Sequence, residues 1–451
     1  MKYDIIVLGA GESGTGAAIL AKHKGFHVLV SDFSKIGEKH KVELEQYNIE
    51  WEEEQHTEEL ILQATEIIKS PGIPNTAPIV SNAIERGIPI ISEIEFAFRF
   101  TKAKMIGITG SNGKTTTTSL IYHLLKANDY NVGIAGNIGY SLARQVALDD
   151  KDCYVIELSS FQLDNMYLFK ADIAILLNIT PDHLDRYEYV FQNYVNSKFR
   201  ITQNQTSTDK FIFWADDAVI KSELAKRTIG GTRYPFTLES KKEGLNHLTI
   251  AGENNIYIDD YKLKIPRIHS KLSGQHNLYN TMAALIAVHL LGMSKEQMIQ
   301  GLETFTGVEH RLEYVASIHG VDFINDSKAT NVDSCWYALQ AMTKPTILIL
   351  GGKDKGNNYD QIKELVKDNC KGLIFLGADN SKLNTYFKDF DIPIADTNNI
   401  QNAIQSAIQM SKAGDVVLLS PCCASFDLFS SYEDRGTQFK NEIKILQDGI
   451  C

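Results

Sequence analysis

The sequence predicts an α/β chain of three domains on mainly parallel sheets, and three observations carry that expectation. Short apolar runs alternate with helical patterns almost throughout, as parallel strands joined by crossover helices require. The chain has 451 residues, more than one ordinary core organises. Two glycine-rich turns, at 9–14 and 110–113, each follow an apolar run and precede a helical one. A composition of 43% hydrophobic and 22% charged residues fits globular domains and excludes a disordered chain.

The first block, residues 1–95, opens with the strand Ile5-Ile6-Val7-Leu8 and a helix from Thr15 to Lys24. The strands His27-Val28-Leu29-Val30 and Ile67-Ile68-Lys69-Ser70 follow, the latter cut off by Pro71-Gly72. That pattern predicts a small Rossmann-like sheet. The second block, 96–305, carries strands at Met105 to Thr109, Tyr154-Val155-Ile156 and Ile173 to Leu177, and a helix from Phe191 to Ile201. A strand-rich stretch from Leu248 to Ile265 turns at Asp259-Asp260. A long helix after Gly274 closes a central phosphate-loop ATPase domain. The third block, 306–451, repeats strand and helix at Phe323-Ile324, Ile347 to Leu350, Leu373 to Leu376 and Val416 to Leu419, a second Rossmann-like unit.

The formal net charge of -11 argues against a nucleic-acid or anionic-membrane partner. Met1-Lys2-Tyr3-Asp4 lacks the basic region and long apolar stretch of a secretory signal, and no apolar run reaches membrane-spanning length. Six cysteines are scattered without a Cys-x-x-Cys pair (Cys153, Cys335, Cys370, Cys422, Cys423, Cys451), which reads as reduced thiols in the cytoplasm. Cys422 and Cys423 are expected as buried small hydrophobes.

The sharpest signal is Gly110-Ser111-Asn112-Gly113-Lys114-Thr115-Thr116, between a strand and a helix expected to start near Thr116. Glycines let backbone N–H groups wrap a phosphate, and the following helix adds its positive end. Lys114 is placed to reach the β- and γ-phosphates, and the Thr115 hydroxyl to meet Mg²⁺. Walker A spacing would put its first glycine where Ile108 stands, so this loop is a shorter variant.

A phosphate loop needs a second metal anchor. Glu157 ends an apolar strand, where an acid faces bound nucleotide at the carboxyl edge of a parallel sheet. Alone it reads as a solvated strand end; beside Lys114 and Thr115 it reads as a Mg²⁺ ligand. Asn178-Ile179-Thr180-Pro181-Asp182-His183-Leu184-Asp185 follows the next strand, and His183 there is a metal ligand, a base or a structural histidine. Lys198 by itself reads as a surface lysine.

Gly9-Ala10-Gly11-Glu12-Ser13-Gly14 satisfies the dinucleotide fingerprint, with Asp32 at the distance of a ribose-binding acid. Read alone, it indicates NAD or FAD. Its physics, however, is anion binding at a helix start, which serves any pyrophosphate, and nothing downstream supplies a hydride-transfer site.

Taken together, Thr109 to Thr116, Glu157 to Leu163, Asp182-His183-Leu184-Asp185-Arg186 and Lys198 resemble the central domain of the Mur ligases. Gly274-Gln275-His276-Asn277 with Asn280 resembles their nucleotide-contacting helix, and Glu309-His310-Arg311-Leu312-Glu313 their link to the C-terminal domain. Ile324 to Asn331 and Leu419 to Asp427 resemble the D-glutamate-adding branch. The resemblance spans essentially the whole chain.

That resemblance implies an ATP-dependent ligase acting on UDP-N-acetylmuramoyl-L-alanine and D-glutamate in peptidoglycan synthesis, a cytoplasmic monomer without nucleic-acid or membrane partner. Two Mg²⁺ are implied, one on Thr115 and Glu157 and one served by His183 and Lys198, the latter carbamylated into an oxygen ligand. Lys114, His183 and Lys198 are the implied catalytic residues. ATP would meet Gly110, Asn112, Gly113, Lys114, Thr115, Thr116, Asn277, Asn280, Arg311, Asp326 and Lys328. The UDP substrate would meet Glu12, Ser13, Asp32, Ser34, Ser70, Gly72, Asn137, Ser159 and Gln162. Glu12 is unfavourable near a pyrophosphate, so its side chain is expected to point away from it, with uracil or ribose as candidate neighbours. D-glutamate would meet Thr330, Lys355, Ser425 and Tyr432, the last where the family often has phenylalanine. The alternatives are a ligase of the same superfamily that adds another amino acid, such as a folylpolyglutamate synthase, and an NAD(P)-binding protein.

Overall fold

The computed structural model describes residues 3–238, 245–272 and 274–448. Three sheets carry the chain, as the strand pattern predicts. The first holds β1 (Ile5–Leu8), β2 (Val28–Asp32), β3 (Glu50–Glu53), β4 (Glu66–Lys69) and β5 (Ile90–Ile91) in the order β3-β2-β1-β4-β5, all parallel. Leu8 is in register with Ser31 and Lys69, so Gly9, Asp32 and Ser70 emerge together at the carboxyl edge. The helix after β1 runs Glu12–His23, starting one turn earlier than its apolar periodicity predicts because Gly11 already serves as its N-cap. The edge strand β3 reads Glu-Trp-Glu-Glu, which lacks an apolar run and carries no strand signal.

The second sheet holds β6 (Lys104–Thr109), β7 (Val132–Gly136), β8 (Cys153–Glu157), β9 (Ile173–Leu176), β10 (Lys210–Trp214), β11 (Thr232–Thr237), β12 (Thr249–Ala251), β13 (Asn255–Ile258) and β14 (Leu263–Pro266). Their order is β14-β13-β12-β11-β10-β9-β6-β8-β7. Pairing is parallel except at β12–β13 and β13–β14, where the Asp259-Asp260 turn closes the last hairpin with φ of 51° and 56°. The helix read as Phe191 to Ile201 ends at Phe199 and tightens into a 3₁₀ turn over Arg200–Thr202. The long helix after Gly274 runs Gln275–Leu290.

The third sheet holds β15 (Glu313–Ile318), β16 (Val321–Asn325), β17 (Thr346–Gly351), β18 (Cys370–Leu376), β19 (Ile394–Thr397) and β20 (Val416–Cys422), in the order β15-β16-β20-β17-β18-β19. Only β15–β16 is antiparallel. Its two faces bury separate cores, one around Leu348, Leu350 and Phe375 and one around Phe323, Ile349 and Phe439.

By compactness the chain divides into two units, Met1–Lys271 with Leu278–Phe305, and Leu272–Asn277 with Thr306–Cys451. The first two sheets therefore share a unit, because one apolar core runs from Ile5 and Val30 through Ile94 and Leu142 to Phe211. Gly16 lets the helix Glu12–His23 approach Ser141 so closely that a Cβ there would stand 1.8 Å from its Oγ. Five cysteines are free and buried, as expected, and Cys451 lies outside the described residues. Among the described residues no helix is long and apolar enough to cross a membrane.

Candidate active site

The loop after β6 is held open by its own backbone and by the neighbouring strand. Gly113, the N-cap of the helix Lys114–Lys126, has φ 84°, and a Cβ there would lie 2.3 Å from Asn280 Oδ1. Only glycine satisfies both constraints. Beyond the end of β9, Asn178 Oδ1 accepts from Asn112 N at 2.8 Å while its Nδ2 donates to Asn112 O at 3.0 Å. Ser111 Oγ donates to Thr180 O at 2.8 Å. The loop is thus held by hydrogen bonds from the segment that follows β9. Sequence reasoning missed Asn178 as an anchor, because a side chain bonding a loop 66 residues away leaves no local pattern. Asn280, proposed for ATP, takes a bond from Thr117 Oγ1 at 3.3 Å.

Two lysines converge on this loop. Lys114 Nζ donates to Gly110 O at 2.9 Å and Ser111 O at 2.8 Å. Lys198 Nζ donates to the same Gly110 O at 2.8 Å and lies 4.6 Å over the Tyr194 ring. Lys198 is not the surface lysine its sequence context suggested; it is 2% exposed. Burial, then the Lys114 charge, hold its amine well below the ordinary lysine range, with Asp182, Asp164 and Glu157 opposing.

Glu157 is buried as well, so the solvated strand-end reading falls. Its register partner on β6 is Ile108, two residues before Gly110, which sets the carboxylate beside the loop. Oε1 accepts from Asn137 Nδ2 at 2.9 Å, but buried Oε2 has no hydrogen-bond partner. A buried carboxylate oxygen left unpaired costs free energy unless a cation or donor joins it. The neighbouring Thr116 Oγ1 is likewise buried without a partner at the helix start. Thr115, also buried, opens that helix next to Lys114. The orphaned carboxylate oxygen of Glu157 and the helix-start hydroxyl of Thr116 are the kind of oxygen donors that a hard divalent cation takes.

His183 takes a left-handed φ of 52°, with Nε2 3.6 Å from Asp182 Oδ2 and its ring edge-on to Phe161 at 5.2 Å. Among the described residues, the His/Asp/Glu triplets close enough to share one ion are His247–Asp259–Asp260 and Glu309–His310–Glu313. Glu157 and His183 form no such triplet.

At the first sheet, Gly14 is required because a Cβ there would meet Gly9 O at 1.8 Å. Asp32 ties the turn: Oδ2 accepts from Ala10 N at 2.7 Å and Oδ1 from Ser34 N at 2.8 Å. The Glu12 side chain is paired within the protein. Its carboxylate turns to Arg144, accepting from Nε at 2.7 Å and from the second terminal nitrogen at 3.1 Å, and to Ser141 N. A guanidinium that also pairs with Glu43 satisfies the charge better than a pyrimidine edge would. Ser13 is half-buried and Ser34 exposed. Ser70 Oγ lies 3.5 Å from Gly9 O, and Arg186 donates to Gly72 O at 3.3 Å. Ser159 and Gln162 form a reciprocal capping box on the helix Ser160–Asp164. The Ser-x-x-Gln spacing was visible in the sequence and carries that structural role.

On the third sheet, Asp326 is buried after β16 and accepts from Ser420 Oγ at 2.9 Å and Leu312 N at 3.2 Å. Burial raises its pKa to about 6, against the pull of Arg311. Arg311 Nε is buried without a hydrogen-bond partner. Lys328 Nζ stands 5.1 Å over the Tyr432 ring, and Thr330 N donates to Lys328 O at 2.9 Å. Ser425 is buried after β20, while Lys355 is exposed beside Asp354. Asn277 is buried and belongs to this unit. Sequence reasoning missed Arg435. Its guanidinium, 1% exposed, donates to Ser327 Oγ and O, Cys423 O and Gly351 O at 2.9–3.4 Å, joining the ends of β16, β20 and β17. An arginine within a helix gives no sequence sign of such a role.

A strand, a glycine turn and Lys114 at the carboxyl edge of a mainly parallel sheet, in a chain that carries two further α/β sheets, define a phosphate-loop enzyme. Three family models match in chain order: "Mur ligase MurD-like, N-terminal domain" over residues 3–92, "Mur ligase middle domain" over 108–288 and "Mur ligase, glutamate ligase domain" over 310–423. The UDP-N-acetylmuramoylalanine--D-glutamate ligase of Bacteroides thetaiotaomicron is 58% identical, covering 98% of this chain and 99% of its own. The enzyme of that name from Porphyromonas gingivalis is 53% identical over the same shares. The chain belongs to the Mur ligase family. The solved UDP-N-acetylmuramate-alanine ligase of Thermotoga maritima has the same fold at 17% identity, with a TM-score of 0.62 over 99% of this chain and 100% of that one.

Proposed function

We propose that the chain is an ATP-dependent ligase joining the amine of D-glutamate to the alanyl carboxylate of UDP-N-acetylmuramoyl-L-alanine, a cytoplasmic step of peptidoglycan synthesis carried out by a monomer. The observation that carries this reading is the meeting of Lys114 and Lys198 on Gly110 O beside Glu157, whose Oε2 lacks a partner. Full-length similarity to ligases named for D-glutamate supports the choice of amino acid.

A carboxylate is inert toward amines because its oxygen leaves poorly. Transfer of the γ-phosphoryl group of ATP to that oxygen gives an acyl phosphate and ADP. The D-glutamate amine then attacks the acyl carbon, inorganic phosphate departs and the amine gives up a proton. Donor and acceptor are both anions, so Lys114 serves by leaving the Gly110 and Ser111 carbonyls for the β- and γ-phosphates. Thr115 and Glu157 would hold one Mg²⁺, and His183 with Lys198 would serve a second, neutralising the phosphate oxygens that face the incoming carboxylate. Only a neutral amine adds to CO₂, and the depressed basicity of Lys198 supports its conversion to a carbamate. His183 acts as metal ligand or proton acceptor. Gly110, Asn112, Gly113, Thr116, Asn277, Asn280, Arg311, Asp326 and Lys328 serve ATP. Glu12, Ser13, Asp32, Ser34, Ser70, Gly72, Asn137, Ser159 and Gln162 serve the UDP substrate. Thr330, Lys355, Ser425 and Tyr432 serve D-glutamate.

Phosphate release from ATP with UDP-N-acetylmuramoyl-L-alanine and Mg²⁺ tests this directly. Release is expected to require D-glutamate, with L-glutamate and other amino acids inactive. Release driven equally by another amino acid, or none with D-glutamate, overturns the assignment.

A further inference from the structure

Asp217 is a carboxylate where the local structure asks only for a cap. It precedes the helix Ala218–Leu224, and its Oδ1 accepts from Ile220 N at 2.8 Å, a bond that serine or asparagine would supply as well. An acid only 6% exposed is a costly choice for that purpose. Burial pushes its pKa up, against the pull of the Ile220, Ile179 and Val219 amides. The second oxygen explains the choice: Oδ2 accepts from Ile179 N at 3.0 Å.

Ile179 lies at the centre of the segment that grips the phosphate loop. Before it, the Asn178 side-chain amide accepts from Asn112 N at 2.8 Å and donates to Asn112 O at 3.0 Å, while the Asn178 carbonyl accepts from Ser111 N at 3.0 Å. After it, Thr180 N donates to Ser111 Oγ at 2.9 Å, and Thr180 O accepts from the same hydroxyl at 2.8 Å. Between these two, Ile179 sends its N–H to Asp217. Strand β10 pairs with β9, which brings the residues after each strand together. The loop being held is short, since Ile108 stands inside β6 where the longer phosphate loop has its first glycine. A shorter turn has fewer backbone groups with which to fix itself, and the grip from outside makes up for them.

We propose that Asp217 is a positioning residue for nucleotide binding: through Ile179 it sets Asn178 and Thr180 against Ser111 and Asn112, and so presets the phosphate loop. This deepens the proposed ATP-dependent reaction and rests on it. Backbone amides take up both Asp217 oxygens, so the residue acts through the segment it holds.

The test uses the full-length protein carrying Asp217→Ser or Asp217→Asn. Each keeps one oxygen for the helix cap and removes the carboxylate that also reaches Ile179. Phosphate-release kinetics give the KM for ATP and the KM for D-glutamate, and calorimetry gives the Kd for ADP with Mg²⁺. Losing a hydrogen bond to a charged acceptor corresponds to on the order of tenfold in an equilibrium constant. Both variants are expected to raise the KM for ATP and the Kd for ADP by that order, with the KM for D-glutamate unchanged. Asp217→Asn keeps the side-chain volume and carries the test should serine unfold the protein. Asn178→Ala is expected to weaken nucleotide binding similarly, and combining it with Asp217→Ser to weaken it no further, because both act on one grip. Wild-type nucleotide affinity in the Asp217 variants overturns the inference and leaves the proposed function standing. So does a KM for D-glutamate that rises as far as that for ATP, or full additivity with Asn178→Ala. A wild-type protein that releases no phosphate from ATP overturns both.

Discussion

Lys114 and Lys198 donate to a single carbonyl oxygen, and two ammonium ions sharing one acceptor repel. Loss of the proton from Lys198 relieves that repulsion, which is why its burial matters for chemistry. Lys198→Ala is expected to lower kcat on the order of 10²-fold or more, the scale of removing one preorganised electrostatic group, with short carboxylates such as acetate restoring part of it. Phosphate-release assays at several acetate concentrations check this; a fully active bare variant would remove the carbamate role. Glu157→Gln keeps an oxygen for Asn137 but drops the charge, so Mg²⁺-dependent nucleotide affinity should fall while metal-free affinity holds. Lys114 and Glu157 were legible because one opens a helix after a glycine turn and the other ends a strand, positions that the neighbouring apolar runs reveal. Lys198, Asn178 and Arg435 act through partners distant in sequence, and only the resemblance to a family singled out the first of them.

The helix Glu93–Phe98 carries a buried carboxyl at its start. Glu93 accepts from Ala143 N at the opening of the helix Leu142–Leu148, and burial raises its pKa from 4.5 to about 8. The folded state therefore keeps a proton that the unfolded chain releases. Its stabilisation is complete below about pH 4.5 and is lost as pH rises toward 8. Glu93→Gln should flatten the fall in melting temperature between pH 5 and 9, removing a dependence on the order of 2–4 kcal/mol. A second element-scale case is Gly436 in the helix Tyr432–Asp448, where a Cβ would lie 2.2 Å from His310 Nδ1. Alanine gains about 1 kcal/mol of helix propensity, but His310 is buried and bonded to Asn325 Nδ2 at 2.9 Å, so it cannot yield. Gly436→Ala should cost a net 1–2 kcal/mol or so, read as a lower urea midpoint. The strands that sequence found are those with apolar runs; β3, rich in glutamate, folds as an edge strand because its neighbour β2 supplies the pairing.

For the whole molecule, separate cores predict separate unfolding. A calorimetric scan should show two transitions, and UDP at a hundredfold excess over its Kd should raise only one, by about 2.7 kcal/mol or roughly 5 °C. A single transition raised as a whole by UDP would show that the units melt as one. The three sheets were legible because each repeats the strand–helix period. The union of the first two was not, since it depends on Gly16 meeting Ser141 and on Arg144 bridging Glu12 and Glu43 across more than a hundred residues.

That union constrains how the chain can be recombined. A chimera that exchanged the leading sheet for a homologous one at residue 95 would cut through a continuous apolar interior and strand Arg144 opposite foreign side chains. The transplantable module is the pair of sheets together, so a donor for a new nucleotide-sugar handle must bring its own partner helix Leu142–Leu148 with it.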